Sequence, residues 1–245
     1  MIISHKNQFI FIKTAKTASS TTQYLLQQAC GPNDIITPIT DQNTKYLKKN
    51  LHKKINARNY NLPLNTVSNK RILLNTIRFK SPYHNKFFQH DPAFKIKRHL
   101  PKEVWDSYFK FCFERHPVSK LISKYKFGYE VKGEKIPFDQ YIHTGAFYPV
   151  MGLNMYTIGG VQMVDKIFKY ENLEQAYKFL SEKFNVKMDP KTIKLNDSNV
   201  FRNKIPDNQI KITKELLRII EIAFARELKL LNYDIENFDN KFKDF

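Results

Sequence analysis

The stretch FIFIKTAKTASSTTQYLL, residues 9–26, passes from one secondary-structure pattern to another within eighteen positions. Its first residues are continuously apolar, which is typical of a strand buried on both faces in a parallel sheet. Leu25, Leu26 and Ala29 then follow at helical spacing, behind a Ser/Thr cluster that can cap the first helical turn. The stretch therefore predicts a strand, a loop and a helix in succession.

Similar successions occur twice more along the chain. Residues 108–113 (YFKFCF) predict a strand, and a helix with an apolar face begins after it at Pro117. Residues 164–170 (VDKIFKY) predict a further strand, which a helix in residues 171–184 follows. Strands that alternate with helices predict an α/β fold with a mainly parallel central sheet flanked by helices.

Other segments add further elements to this prediction. We expect a strand at residues 71–77 (RILLNTI), short helices at 91–100 and 101–108, and the longest amphipathic helix at 213–233. The length of 245 residues suits one domain, 1–245, with a well-buried core.

The charge of the chain predicts an anionic partner. The formal net charge is +18, and residues 41–102 contain fifteen Lys or Arg against only Asp41 and Asp91. Such an excess attracts nucleic acid, phosphate or sulfate esters, acidic glycans or an anionic membrane surface. The alternative is an ordinary solvated lysine-rich surface. On the first interpretation, the basic insert 41–102 faces the anion.

The two cysteines and the hydropathy pattern predict a soluble protein. Cys30 and Cys112 lie beside apolar runs, so they are expected to be buried thiols in a reducing compartment rather than a disulfide. The apolar stretch in residues 1–13 is too short and too interrupted to suggest a signal peptide, and no eighteen apolar residues run together. We therefore expect a cytoplasmic protein without a transmembrane segment, with the membrane periphery as an alternative.

The first strand-to-helix junction, Lys13 to Thr21, has the position of a phosphate loop. It lacks G-x-x-x-x-G-K-[ST], and no G-x-G-x-x-G occurs in the chain, which disfavours a standard kinase or dinucleotide enzyme. The ammonium of Lys16 and the hydroxyls and amides of Ser19, Ser20 and Thr21 can nevertheless surround a phosphate. The alternative is that the hydroxyls only cap the helix while the lysines point to solvent.

The second junction, Glu114 to Ser123, offers a second anion-binding group. Arg115 ends the strand, and its planar guanidinium suits a phosphate, to which Ser123 can add a hydroxyl. The alternative is a surface arginine at an ordinary helix start. Ligands of parallel sheets gather at the carboxyl ends of strands, where both junctions are predicted to lie.

Four segments in order resemble the carbohydrate sulfotransferase superfamily. FIKTAKTASST (11–21) is similar to the 5′-phosphosulfate loop of the Golgi-type enzymes, in the form found in galactose 3-O-sulfotransferases. FCFERHPVSKLISKY (111–125) resembles the 3′-phosphate segment. VDKIFKYENLEQAYKFL (164–180) and FARELKLLNYD (224–234) resemble later segments. The resemblance implies a P-loop-like three-layer fold and sulfuryl transfer from 3′-phosphoadenosine-5′-phosphosulfate (PAPS), without a metal, to a carbohydrate hydroxyl.

The resemblance also implies roles for individual residues. Lys16 would contact the bridging oxygen of PAPS and stabilise the departing nucleotide, whereas Lys13 is predicted to end the strand and to matter less. Arg115 and Ser123 would hold the 3′-phosphate. The residues expected around the 5′-phosphate are Lys13, Thr17, Ala18, Ser19, Ser20 and Thr21. The sequence departs from the family pattern at His116, where Asn or Asp is usual, and at Glu114, an acid that should weaken anion binding unless it points away or pairs with a lysine.

A histidine is the expected base for the attacking hydroxyl. His90 is the first candidate, because related sulfotransferases carry a histidine before a helix in this interval, and His84 is the second. His99 and His116 rank lower. The basic insert would line the cleft for a glycan or polysaccharide, including an acidic one. Its flat rings, Phe87 and Phe88 together with the nearby Trp105, either contact sugars or belong to the core.

Two other classes of function remain open from the sequence. A nucleic-acid-binding basic protein would explain the charge but not the two ordered phosphate loops, and no recognised nucleic-acid motif appears. A nucleotide kinase with a degenerate loop would need a magnesium-binding carboxylate at the end of a strand. Asp165 precedes its strand and is a poor candidate.

Overall fold

The computed structural model describes residues 1–40, Thr44, Leu47, 55–62, 86–132, 136–189 and 205–245. Five strands form the central sheet: β1 (Ile2–Ser4), β2 (Phe9–Ile12), β3 (Ile35–Ile36), β4 (Phe109–Glu114) and β7 (Lys166–Lys169). Two further strands, β5 (Thr157–Ile158) and β6 (Val161–Gln162), form a separate hairpin. The α-helices within these ranges are α1 (Ser19–Leu26), α2 (Ala93–His99), α3 (Lys102–Ser107), α4 (Pro117–Lys132), α5 (Phe138–His143), α6 (Leu153–Tyr156), α7 (Leu173–Phe184), α8 (Lys214–Ala223) and α9 (Ala225–Leu231).

The strand order in the five-stranded sheet is β3-β1-β2-β4-β7. The pairs β2–β4 and β4–β7 are parallel, whereas β1 is antiparallel to both β2 and β3. Four of the five strands therefore point the same way and only β1 is reversed. This confirms the prediction of a mainly parallel central sheet.

Helices cover both faces of the sheet. Because side chains alternate along a strand, Phe9, Phe11 and Phe111 lie on one face and pack with α1 and α7. Ile10, Ile12 and Cys112 lie on the other face and pack with α2, α3 and α6. Burial of both faces explains why β2 (FIFI) is continuously apolar in sequence. The helices on both sides confirm a central sheet flanked by helices.

A third apolar cluster joins α4, α5, α8 and α9. The predicted single helix at 213–233 is wrong, because the chain leaves helical geometry at Phe224 (φ −106°, ψ 15°) and forms α8 and α9. No proline or glycine marks this break in the sequence. The longest helix of the described residues is instead α4, with 16 residues.

The remaining sequence predictions concern the short helices, the cysteines, the basic insert and membrane-spanning segments. The predicted short helices correspond to α2 and α3, although α2 begins at Ala93 rather than at the proline before it. Cys30 and Cys112 are free thiols, as expected. The predicted strand at 71–77 and most of the basic insert lie outside the described residues. No helix within the described ranges has the length and apolar character needed to cross a membrane.

Candidate active site

The two strand-to-helix junctions lie side by side at one edge of the sheet. Strands β2 and β4 are parallel neighbours, with Ile12 opposite Cys112, so the segments that follow them leave the sheet together. The Thr14 hydroxyl donates a hydrogen bond to the carbonyl of Phe113. Arg115 Nη1 lies 3.5 Å from the carbonyl oxygen of Lys16. The structure thus brings together the two candidate anion sites, as the sequence predicts.

The first junction is held by its own hydroxyl groups. Thr17 Oγ1 lies 2.9 Å from Thr14 Oγ1, and Ser19 Oγ donates to the Thr14 carbonyl at 2.9 Å. Lys16 and Ala18 both have positive φ, 61° and 55°, a conformation that costs non-glycine residues energy and persists where the surroundings impose it. A compact loop without glycine results.

The prediction that the Ser/Thr cluster caps α1 is wrong. The N-cap residue of α1 is Ala18, and no side chain caps the helix. The first helical hydrogen bond runs from Thr22 N to the Ala18 carbonyl at 3.0 Å. The amides of Ser19, Ser20 and Thr21 belong to the first turn, whose N–H groups have no acceptor within the helix. These amides, with the partial positive charge of the helix start, form an anion-binding geometry.

The side chain of Lys16 contacts α4, the helix that follows the second junction. Its Nζ lies 4.2 Å from the centre of the Phe127 ring on α4, a cation–π contact. Ser123 precedes Phe127 by four residues and therefore lies on the same face of α4. The structure accordingly places Lys16 and the candidate 3′-phosphate hydroxyl on neighbouring surfaces.

Arg115 is oriented by an aromatic ring. Its guanidinium carbon lies 4.2 Å from the centre of the Tyr170 ring, directly after β7. Stacking on an aromatic face restricts a guanidinium while its N–H donors at the edge remain directed outward. Tyr170 belongs to the third segment that resembles the sulfotransferases, so this segment supports the second junction.

The unusual Glu114 pairs with a lysine. Its Oε1 lies 2.5 Å from Lys120 Nζ, and both side chains are almost wholly buried. The same oxygen accepts a hydrogen bond from the Arg115 amide at 2.9 Å. Gly152 leaves room for this pair, since a Cβ there would lie 1.8 Å from Glu114 Oε2. The acid is thus neutralised within the protein and fixes the start of the Arg115 segment.

The other departure, His116, serves as a structural link. Its ring Nε2 donates to the Asp234 carbonyl at 2.8 Å, and its amide donates to Glu171 Oε1 at 2.9 Å. Glu171 Oε2 also accepts from the Tyr233 hydroxyl at 2.8 Å. Burial lowers the pKa of His116. These bonds tie the second junction to the third and fourth resembling segments.

The chain was compared with known protein families, curated proteins and solved structures. The model of the Sulfotransferase family matches residues 1–146, more than half of the chain and a range that includes both junctions. The chain belongs to the sulfotransferase family. An Archaeoglobus fulgidus protein described as uncharacterized is 32% identical over 88 residues, 34% of this chain and 73% of that protein. A crystal structure of a sulfotransferase from Alicyclobacillus acidocaldarius covers 91% of this chain and 95% of its own, with 14% identity and a TM-score of 0.38.

The candidate base of this sulfotransferase lies next to the first junction. His90 Nδ1 is 3.0 Å from the carbonyl oxygen of Lys13. Because a carbonyl only accepts, Nδ1 carries the proton and Nε2 of the neutral ring keeps its lone pair. Burial and the nearby Lys13 lower the pKa of His90, although the residue keeps an exposed surface.

Neighbouring bonds hold the turn that carries His90. Asp91 Oδ2 accepts from the Phe88 amide at 2.8 Å, and Asp91 Oδ1 pairs with Lys95 Nζ at 2.9 Å. Among the other candidate bases, His99 lies at the end of α2 with its ring 6.2 Å from that of Phe87. His84 lies outside the described residues.

Lys13 directly follows β2, and it does not point to solvent. The side chain is wholly buried, and Nζ lies 3.3 Å from both Ser20 Oγ and Gln89 Oε1. Burial lowers the pKa of Lys13 to about 7. Lys13 thus connects the first turn of α1 with the turn that carries His90.

The sequence did not reveal some residues of the candidate site. The ring partners Phe127 and Tyr170, the identity of the lysine that pairs with Glu114, and the side-chain amide of Gln89 were found only in the structure. A basic residue six positions after an acid at a strand end is a weak signal for the ion pair, and no local pattern marks the others. Of the three flat rings, Phe87 and Trp105 are core residues, whereas Phe88 is 50% exposed.

Proposed function

We propose that this chain moves the sulfuryl group of PAPS to a hydroxyl of a carbohydrate acceptor by in-line displacement. The observation that carries the proposal is the pairing of two anion-binding junctions at one edge of the sheet, linked by the Arg115–Lys16 contact. One junction suits a 5′-phosphosulfate and the other a 3′-phosphate. ATP lacks the second group, so the pairing favours a 3′-phosphorylated nucleotide.

The residues present fit such a donor. The first-turn amides of Ser19, Ser20 and Thr21, next to the small Ala18, surround the expected place of the 5′-phosphate. The wholly buried Thr17 hydroxyl supports this loop from within, through its bond to Thr14. Arg115 and Ser123 provide the donors for the 3′-phosphate. Lys13 adds a buried amine beside Ser20. Among the described residues, no group of three or more His, Cys, Asp or Glu is placed to hold a metal ion.

Sulfuryl transfer, like phosphoryl transfer, requires the protein mainly to position the reactants and to stabilise charge. The proposed part of Lys16 is to place its ammonium where negative charge develops on the oxygen that leaves with the nucleotide. The proposed part of His90 is to accept the proton of the acceptor hydroxyl at Nε2. Its lowered pKa keeps the ring neutral and able to accept this proton at neutral pH.

An exposed ring next to His90 supports a sugar acceptor. Phe88 is half exposed, and Lys86 Nζ and Lys95 Nζ lie 5.5 Å and 4.7 Å from the centre of its ring. Phe94, on α2, is 57% exposed. An apolar ring face suits the C–H face of a sugar, while the flanking ammonium groups suit carboxylate or sulfate substituents. We propose a glycan or polysaccharide acceptor, including an acidic one.

Ligand-dependent thermal stability tests the donor. Adenosine 3′,5′-bisphosphate should raise the melting temperature at micromolar concentration, whereas ATP with Mg²⁺ and adenosine 5′-phosphate should raise it much less. Arg115→Ala should remove the preference for the 3′-phosphate, and Arg218→Ala, an exposed residue of α8, should keep it. An equal response to ATP with Mg²⁺ would favour a nucleotide kinase, and a response to oligonucleotides alone would favour a nucleic-acid-binding protein.

Transfer of labelled sulfate from PAPS across a panel of neutral and acidic glycans tests the acceptor. His90→Gln should abolish most transfer while leaving bisphosphate binding intact. A His90→Gln variant with unchanged turnover would exclude His90 as the base.

A further inference from the structure

Lys13 is a buried amine without an acidic partner. Its two neighbours at hydrogen-bond distance, Ser20 Oγ and Gln89 Oε1, are both neutral. In the described part of the chain, no carboxylate lies within ion-pair distance of Lys13 Nζ. An ammonium at this place loses its water without gaining a counter-charge, which is unfavourable.

The charges that face Lys13 do not supply this counter-charge. Of the acids in the surrounding elements, Asp91 before α2 is paired with Lys95, and Glu114 at the end of β4 is paired with Lys120 of α4. The nearby bases are the Met1 amino nitrogen at the start of β1 and His90 in the turn before α2. Two further bases belong to the same edge of the sheet, Lys16 in the loop after β2 and Arg115 after β4.

The place of Lys13 suggests where the missing negative charge comes from. Ser20 is the second residue of α1, in the turn whose amides are proposed to bind the 5′-phosphate. An anion bound to these amides would lie close to the Lys13 amine, because Lys13 Nζ is 3.3 Å from Ser20 Oγ. Since burial alone lowers the pKa of Lys13 to about 7, an adjacent anion raises it again.

We propose that Lys13 is a second cation of the donor site and that it takes up a proton from solvent when the anionic donor binds beside Ser20. The proton forms an N–H bond on the neutral Lys13 amine, and no other covalent bond changes. The inference rests on the proposed function, because that function defines the anion. It gives Lys13 a role in donor binding, whereas the sequence predicted only that Lys13 ends the strand and matters less than Lys16.

Binding of adenosine 3′,5′-bisphosphate to the full chain, followed by calorimetry at pH 8 in buffers of different ionisation enthalpy, tests the inference. With a free pKa of about 7, Lys13 is mostly neutral at pH 8, so binding should take up about one proton. The affinity should fall roughly eightfold between pH 7.5 and 8.5. The phosphates, with a second pKa of about 6, and His90 contribute little in this range.

Lys13→Met is the decisive variant and Lys229→Met, an exposed residue of α9, its control. Lys13→Met should bind the bisphosphate more weakly, without proton uptake and without the loss of affinity at high pH, while Lys229→Met should match the parent chain. Methionine fills the space of the lysine side chain without burying an amine, so the variant should still fold. The proton uptake of the parent chain tests the proposal without any variant.

The outcomes separate the two proposals. Bisphosphate binding without proton uptake, or with the same uptake in Lys13→Met, overturns the role of Lys13 and leaves the proposed function standing. If the parent chain does not bind the bisphosphate, the proposed function fails and the role of Lys13 fails with it.

Discussion

Lys13 and Lys16 lie three residues apart in the same junction, but their side chains differ in burial and in the groups they contact. Lys13 is wholly buried between Ser20 and Gln89, and its pKa is lowered to about 7. Lys16 is half-buried in a left-handed conformation, with its ammonium over the Phe127 ring. One residue type therefore supplies two different groups, a wholly buried amine and a half-buried ammonium over an aromatic ring.

Replacement of Lys16 tests its proposed contact with developing charge. Lys16→Ala should lower kcat by about 10²–10³, because the ammonium acts where charge forms in the transition state. The affinity for adenosine 3′,5′-bisphosphate should change much less than kcat. Steady-state kinetics and calorimetry measure the two effects separately.

Lys229→Ala, in an exposed position of α9, is the matched control and should leave both quantities unchanged. If Lys16→Ala instead weakened bisphosphate binding while kcat remained that of the parent chain, Lys16 would be a binding residue and another group would stabilise the leaving oxygen.

At the level of elements, the start of α4 depends on an ion pair that the sequence presents as an anomaly. Glu114 and Lys120 are six residues apart, across the turn from β4 into α4, and their side chains meet in the core. Glu114 also accepts from the amide of Arg115, so the pair determines how the arginine leaves the strand. A carboxylate next to the candidate anion site is acceptable here because Lys120 compensates its charge within the protein.

Gly152 offers a test of this pair, because its lack of a side chain makes room for the carboxylate. A Cβ there would lie 1.8 Å from Glu114 Oε2 and 3.0 Å from Lys120 Nζ. Gly152→Ala should therefore separate the pair and lower the free energy of unfolding by about 3–5 kcal/mol, as expected when a buried pair is broken. Chemical denaturation measures the change.

Gly128→Ala is the control within the same region. It lies in α4, and a Cβ there would have nothing within 4 Å, so the substitution should raise stability by about 0.5–1 kcal/mol through helix propensity. Equal effects of the two substitutions would mean that the Glu114–Lys120 pair contributes little to folding.

Across the whole molecule, long apolar runs were predictable and short strands were not. β2 and β4 each occur in a largely apolar run before a helix, β7 lies in a mixed segment before a helix, and all three were found where expected. β1 has three residues and β3 only two, which is too short for a periodic signal. Their place in the sheet depends on pairing between distant segments, with Ile2 opposite Ile36.

The candidate site was predictable in composition but not in the direction of its side chains. Parallel pairing of β2 and β4 guaranteed that Lys16 and Arg115 would come near each other. Nothing in the local sequence distinguishes the buried Lys13 from Lys16, because burial is set by α1 and by the turn at Gln89. The capping role of Ser19 was wrong for a similar reason: its hydroxyl bonds to the loop carbonyl of Thr14.

The net charge of +18 leads to a prediction about the acceptor. If the basic insert 41–102 and the Phe88 surface bind an acidic glycan, attraction over distance should raise the encounter rate at low ionic strength. Raising the salt concentration from about 0.1 M to about 1 M shortens the screening length from about 10 Å to about 3 Å. The KM for an acidic glycan should then rise by about tenfold or more, while the KM for a neutral glycan of the same length should change little. Steady-state transfer assays at several salt concentrations measure both KM values.

Lys86→Gln, next to the exposed Phe88, should reduce the salt dependence of the KM for the acidic glycan, and Lys229→Gln, at an exposed position of α9, should not. The same salt dependence for both glycans would show that the excess positive charge does not select the acceptor.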